Sequence, residues 1–128
     1  MKYFLVLVLL FLSCSKTEKL NDFSLRVEVN GLKKGTLYLE KFNDSTLFKM
    51  DSAFFKGNNS VEFKGKIENP EMMILSLSYE NESKPKQFPF FVENSDMIVK
   101  TRLKDFGYKV YSEGSKNDSI YRKYPVSY

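Results

Sequence analysis

The 128-residue chain contains no histidine and a single cysteine, Cys14. Without His, Ser-His-Asp and Cys-His catalysis and every metal site that needs imidazole are excluded. With one Cys, an internal disulfide, a C-x-x-C redox pair and a zinc knuckle are excluded as well. Blocks of like charge are also missing: twenty Lys and Arg and sixteen Asp and Glu are interspersed, for a formal charge of +4. A nucleic-acid footprint needs a basic stripe or cluster, so this pattern reads as a solvated surface and no nucleic-acid partner is expected.

The chain also lacks an apolar run long enough to cross a bilayer. Tyr3 to Leu12 is unbroken but only ten residues long, about 15 Å as a helix and roughly half the hydrocarbon thickness. Lys2 before it and the small Ser13 after it complete the parts of a cleavable secretory leader. Leu12-Ser13-Cys14 resembles the bacterial lipobox, in which a signal peptidase cuts before a Cys whose sulfur carries diacylglycerol. That resemblance implies a lipoprotein signal peptide over 1–13, lipidation at Cys14 and a short polar tether over 14–22. Each buried methylene contributes ~0.8 kcal/mol, so two or three palmitate-class chains would hold the protein in the membrane effectively permanently. The expected address is the Gram-negative cell envelope, lipid-anchored, with the outer membrane favoured because no Asp follows Cys14.

Aromatic residues, by contrast, are plentiful: twelve Phe and eight Tyr in a chain that is 42% hydrophobic, enough for one packed core and one domain. Phe23, Leu25, Val27 and Val29 alternate with Ser24, Arg26 and Glu28, the period of a half-buried strand. Gly31 and Gly35 bracket a turn, Thr36 to Phe42 reads as the returning strand, and Asn43-Asp44-Ser45 breaks the pattern. Ala53 to Lys56 and Ser60 to Ile67 predict a hairpin around Gly57-Asn58-Asn59, a loop suited to positive φ. Met72 to Tyr79 predicts a central strand with Leu75, Leu77 and Tyr79 on one face. An exposed loop over Glu80 to Lys86 follows. Phe88 to Glu93 and Asp96 to Leu103 predict strands across Asn94-Ser95, Pro89 marking an edge or bulge, and Tyr108 to Tyr111 a last strand. The fold class is therefore mainly β, a small antiparallel β-sandwich or barrel-like domain over 23–112. In the tail, 113–128, Ser115 to Tyr124 predicts a capped helix stopped by Pro125.

Motifs that would carry chemistry are weak. Asp105-Phe106-Gly107 spells a kinase magnesium motif without the other kinase elements and reads as a turn. Gly65-Lys66 lacks the rest of a phosphate loop, and no acid spacing matches a calcium loop; these read as surface turns. Glu62, Glu68, Glu71, Glu93 and Asp96 supply acids for a glycosidase-like pair, but nothing singles out two of them. The rings and lysines of Tyr38 to Phe42 and Phe63 to Lys66 have the makings of a base-stacking platform, yet core packing is the expected use. No enzyme activity, cofactor or metal is expected. Asp44-Ser45-Thr46, Asp51-Ser52-Ala53 and Asp118-Ser119-Ile120 each resemble an O-glycan acceptor of exported proteins, making Ser45, Ser52 and Ser119 candidate modification sites.

The leader, Phe23 to Gly31, Thr36 to Phe42 (TLYLEKF), Asp51-Ser52-Ala53, Val61 to Asn69 (VEFKGKIEN), Phe90 to Asn94 (FFVEN) and Gly114 to Asp118 (GSKND) together resemble one known domain. It is the β-rich N-terminal domain of unknown function of thioredoxin-like, TlpA-type thiol:disulfide interchange lipoproteins. In those longer proteins a helical linker and a thioredoxin domain follow the Gly-Ser-x-x-Asp segment, whereas here Tyr128 comes ten residues after Asp118. No redox residue carries over. The resemblance implies an accessory or spacer role, and the expected function is a non-catalytic envelope lipoprotein domain. It would act as a binding, spacer or interaction module through an exposed sheet face or the Glu80 to Lys86 loop, toward an envelope protein or glycan. The alternative is a truncated or split relative of the oxidoreductases that depends on a separate thioredoxin-like protein.

Overall fold

A computed structural model describes residues 22–80 and 82–123. The expected leader, Cys14 and most of the tether lie outside the described residues, as does Pro125. The elements are β1 (Asp22–Asn30), β2 (Lys34–Asn43), β3 (Thr46–Lys56), β4 (Ser60–Lys66), β5 (Glu71–Ser78), β6 (Lys86–Val92), β7 (Asp96–Arg102), β8 (Tyr111–Glu113) and α1 (Lys116–Lys123). They form two four-stranded sheets, ordered β4-β1-β7-β8 and β3-β2-β5-β6. The architecture is a mainly β sandwich with a short C-terminal helix, and the barrel alternative falls because neither sheet closes on itself.

Alternation builds the core. Leu25, Val27 and Val29 of β1, Phe63 of β4 and Met97 and Val99 of β7 face Leu37, Leu39, Phe55, Met73, Leu75, Leu77 and Phe90 of the second sheet, all essentially without solvent contact. At ~25 cal/mol per Å² of apolar surface removed from water, this layer holds the two sheets together. Phe106 closes the far end by packing edge-on against Phe88, ring centroids 4.9 Å apart, which gives Asp105-Phe106-Gly107 its use: a turn.

Several pairings differ from expectation. Most are antiparallel, but β1 and β7 run parallel, Ser24 opposite Asp96 through Asn30 opposite Arg102. The reason is the crossing at 93–95: β6 ends beside the start of β1, so a strand that changes sheet there must run the same way as β1. The strand after Gly31 exists but belongs to the other sheet, so β1 and β2 are not a hairpin. Gly57 does adopt positive φ, 75°, yet β3 and β4 also lie in different sheets, so the turn is a corner between layers. The true hairpin is β2–β3, closed by Asp44-Ser45 with Asp44 at φ 58°. Gly65-Lys66 is no turn: Gly65 sits within β4, where the ring of Phe23 stands 2.8 Å from where a Cβ would be. The last strand is Tyr111–Glu113 rather than Tyr108 to Tyr111. Pro89 lies on β6, an edge strand, as its missing N–H requires.

Candidate functional site

An isolated sheet edge is a template for another strand, and both edges of the second sheet are blunted. Along β6, α1 supplies the missing partners. Asp118, fully buried, accepts the Phe91 N–H at 3.2 Å, Ser115 donates to the Phe91 carbonyl at 2.8 Å, and Arg122 donates to the Pro89 carbonyl at 2.8 Å. Arg122 also binds Asp118 at 2.7 Å, and Ser115 accepts the Asp118 N–H at 3.1 Å, a cap on the helix. Along β3, Asp51 takes the Ser52 N–H at 2.8 Å, Asn58 takes that of Lys56, and the register shift opposite Leu39 and Glu40 bulges the strand at Met50. Strand addition to the second sheet is thus guarded against on both sides, and its face and ends are its remaining interaction surfaces.

The outer faces differ. The first sheet carries a checkerboard of charge: Arg26 opposite Glu62, and Glu28 3.9 Å from Lys100. The second sheet carries Tyr38, Ile74 and Phe91, half-buried, around a polar row in which the exposed Gln87 donates to the buried Glu40 and Ser76 at 3.3 Å each. Lys49 sits 4.1 Å above the Tyr38 ring. No buried side-chain polar atom among the described residues lacks a partner.

The ends of the sandwich differ more. At the end where β1 begins, Asp22 pairs with Lys66, and Met50 of the β2–β3 hairpin lines a crevice with Lys66, Ile67 and Glu71. Phe42 is 50% exposed there, and Phe48 and Met50 42% each. At the opposite end, β2 starts where β3 finishes, and their register sets Lys34 directly opposite Lys56. Like charges so placed repel. Lys33 is adjoining, its carbonyl accepting the Gly57 N–H at 2.9 Å. Among the described residues none of these three lysines has an acid within ion-pair distance. An open cleft of about 590 Å³ lies beside them, lined by Lys34, Thr36, Phe54, Lys56, Ser78 and Glu80. Phe54, 66% exposed, presents its ring there.

The acids singled out in the sequence are dispersed. Glu62 faces Lys64 at 3.6 Å, Glu71 is bound to Lys41 at 3.0 Å, Glu93 accepts from the Asn117 N–H at 3.3 Å, and Asp96 accepts from Ser24 at 2.7 Å. Only Glu68 and Glu71 share a crevice, and no group of acids that could hold a metal ion occurs among the described residues. Tyr111, at the surface, has its phenol pKa raised by its hydrogen bond to Glu113, by burial and by that carboxylate's charge. Of the candidate modification sites, Ser45 is exposed at the hairpin turn and Ser52 is exposed on β3, while the Ser119 hydroxyl donates to the Ser115 carbonyl at 2.9 Å and its Asp118 neighbour is buried. Of the rings expected to pack in the core, Phe63 does, whereas Tyr38 is half-buried on the outer face and Phe42 is exposed because it lies beyond the core at the hairpin end of β2. Sequence reasoning missed the Lys34–Lys56 pair, whose members are 22 positions apart and meet only through the β2–β3 register.

Fold and surface together define a small β-sandwich domain whose second sheet has guarded edges, with an apolar hairpin at one end and, at the other, lysines without ion-pair partners among the described residues. The chain matches the family described as a domain of unknown function (DUF4369) over residues 23–121, and it belongs to that family. No curated protein and no solved structure matches it.

Proposed function

We propose that this chain is a non-catalytic binding module of the cell envelope, tethered by lipid on Cys14, whose Lys33, Lys34 and Lys56 end receives an acidic glycan. The observation that carries the reading is the register that sets Lys34 against Lys56, neither of them within ion-pair distance of an acid among the described residues, with Glu80 as the one carboxylate lining their cleft. Such a pair is relieved by an anion from outside. The exposed Phe54 ring and the hydroxyls of Thr36 and Ser78 suit a sugar, whose C–H face stacks on a ring while its edge hydrogen-bonds. The expected ligand class is a polysaccharide unit carrying carboxylate or phosphate.

Titration calorimetry with oligogalacturonate tests this, against a neutral oligoglucan and a poly-glutamate peptide of equal length. Oligogalacturonate binding that weakens severalfold in Lys34→Glu and in Phe54→Ala supports the proposal. Equal binding of the peptide, unchanged by Phe54→Ala, would reduce the site to charge alone and overturn it. The kinship with TlpA-type oxidoreductases belongs to the same proposal as one of architecture. Docking of Ser115 and Asp118 on β6 gives the Gly-Ser-x-x-Asp segment a structural use within this domain, which favours a module over a split oxidoreductase.

A further inference from the structure

We infer that the β2–β3 hairpin rests on the membrane surface to which Cys14 is anchored, so that the sandwich stands with its lysine end outward. The inference depends on the lipid tether proposed above. Seven residues lie between Cys14 and Asp22, and the eight steps from one to the other, at ~3.5 Å each, reach at most about 28 Å. Asp22 is therefore held within about 28 Å of the headgroups, no farther than the length of one strand of the sandwich. Asp22 lies opposite Lys66, and Lys66 lines the crevice that Met50 borders, so the hairpin leaves the sandwich at the tethered end.

The side chains there suit a lipid surface. Phe42, Phe48 and Met50 are 42% exposed or more, an apolar set that water disfavours and an interface accepts. Two of the nearby cations are turned back onto the protein, Lys41 binding Glu71 at 3.0 Å and Lys49 covering Tyr38, while the exposed Lys66 is left to meet lipid phosphate. The turn itself, Asn43-Asp44-Ser45, is polar. Contact is thus shallow, at headgroup depth, with Phe48 and Met50 as the wedge.

The chain has no Trp, so one introduced indole reports alone. Phe48→Trp, Phe42→Trp and, at the opposite end, Phe54→Trp are made in the acylated full-length protein and reconstituted in phosphatidylethanolamine vesicles containing brominated lipid. Expected is blue-shifted, quenched emission for Phe48→Trp or Phe42→Trp and unshifted, unquenched emission for Phe54→Trp. Intact mass is measured on the same samples. Correct acylation with neither hairpin indole quenched, or with all three quenched alike, overturns the orientation and leaves the tether standing. A mass without acyl chains overturns the tether and this inference with it.

Discussion

The two ends of the sandwich are built from the same strands and present opposite chemistry. The hairpin end exposes Phe42, Phe48 and Met50 and holds two of its lysines on the protein, Lys41 to Glu71 and Lys49 over Tyr38, leaving Lys66 exposed. The far end exposes Lys33, Lys34 and Lys56 without an acid partner. Net charge hides this, because lysines 22 positions apart in the sequence come together only when β2 and β3 are registered. The lesson is that polarity along the strand axis, rather than between faces or edges, organises this surface.

If the ends act independently, a lesion in the scaffold between them should lower stability without touching either. Asp118→Ala removes a fully buried carboxylate, strands the Phe91 N–H and leaves Arg122 without its counter-charge, held only by the Pro89 carbonyl. A loss of about 3 kcal/mol is expected, read as a lower urea midpoint with glycan affinity retained in the folded protein. Retained stability would mean that β6 guards its own edge.

Gly65→Ala probes the hairpin end from below. Its Cβ would stand 2.8 Å from the Phe23 ring, so the ring must shift, at a cost of about 2 kcal/mol. Phe23→Leu in the same chain should recover part of the loss; no rescue would show that the backbone, not the ring, limits the site.

Lys34→Glu sharpens the contrast most, since its two effects oppose. Replacing a like pair by an opposite pair across from Lys56 should raise stability by about 0.5 kcal/mol while glycan binding falls. A drop in both would identify Lys34 as structural.

The smallest effect belongs to Tyr111. Its pKa is raised by Glu113, so the folded state holds the phenolic proton more tightly than the unfolded chain. The small stabilisation is complete below the unfolded tyrosine pKa and is lost as pH rises through the folded value. Ultraviolet titration should show one late-ionising phenol that disappears in Tyr111→Phe and moves toward the ordinary value in Glu113→Gln.

Much of the fold was legible. Period-two alternation predicted β1 over Phe23 to Val29 because one face of the strand is core. Apolar composition predicted β5 as central, and β2 and β6 do flank it. The first half of β3 was not legible: the bulge at Met50 adds a residue and breaks the period, so Thr46 to Asp51 reads as irregular. Nor was the burial of Asp118, since a carboxylate is read as solvated until the edge of β6 is brought to it.

By itself the sequence determined the buried face of β1 and where the helix is capped, because burial periodicity and capping act within one element. It equally determined, by lacking His and holding one Cys, which chemistries this chain does not have. Only the tertiary structure decided which sheet each strand joins, that β1 and β7 run parallel, and that Lys34 meets Lys56. Those outcomes depend on crossings between layers and on register, which are set by contacts between distant segments rather than by any local pattern.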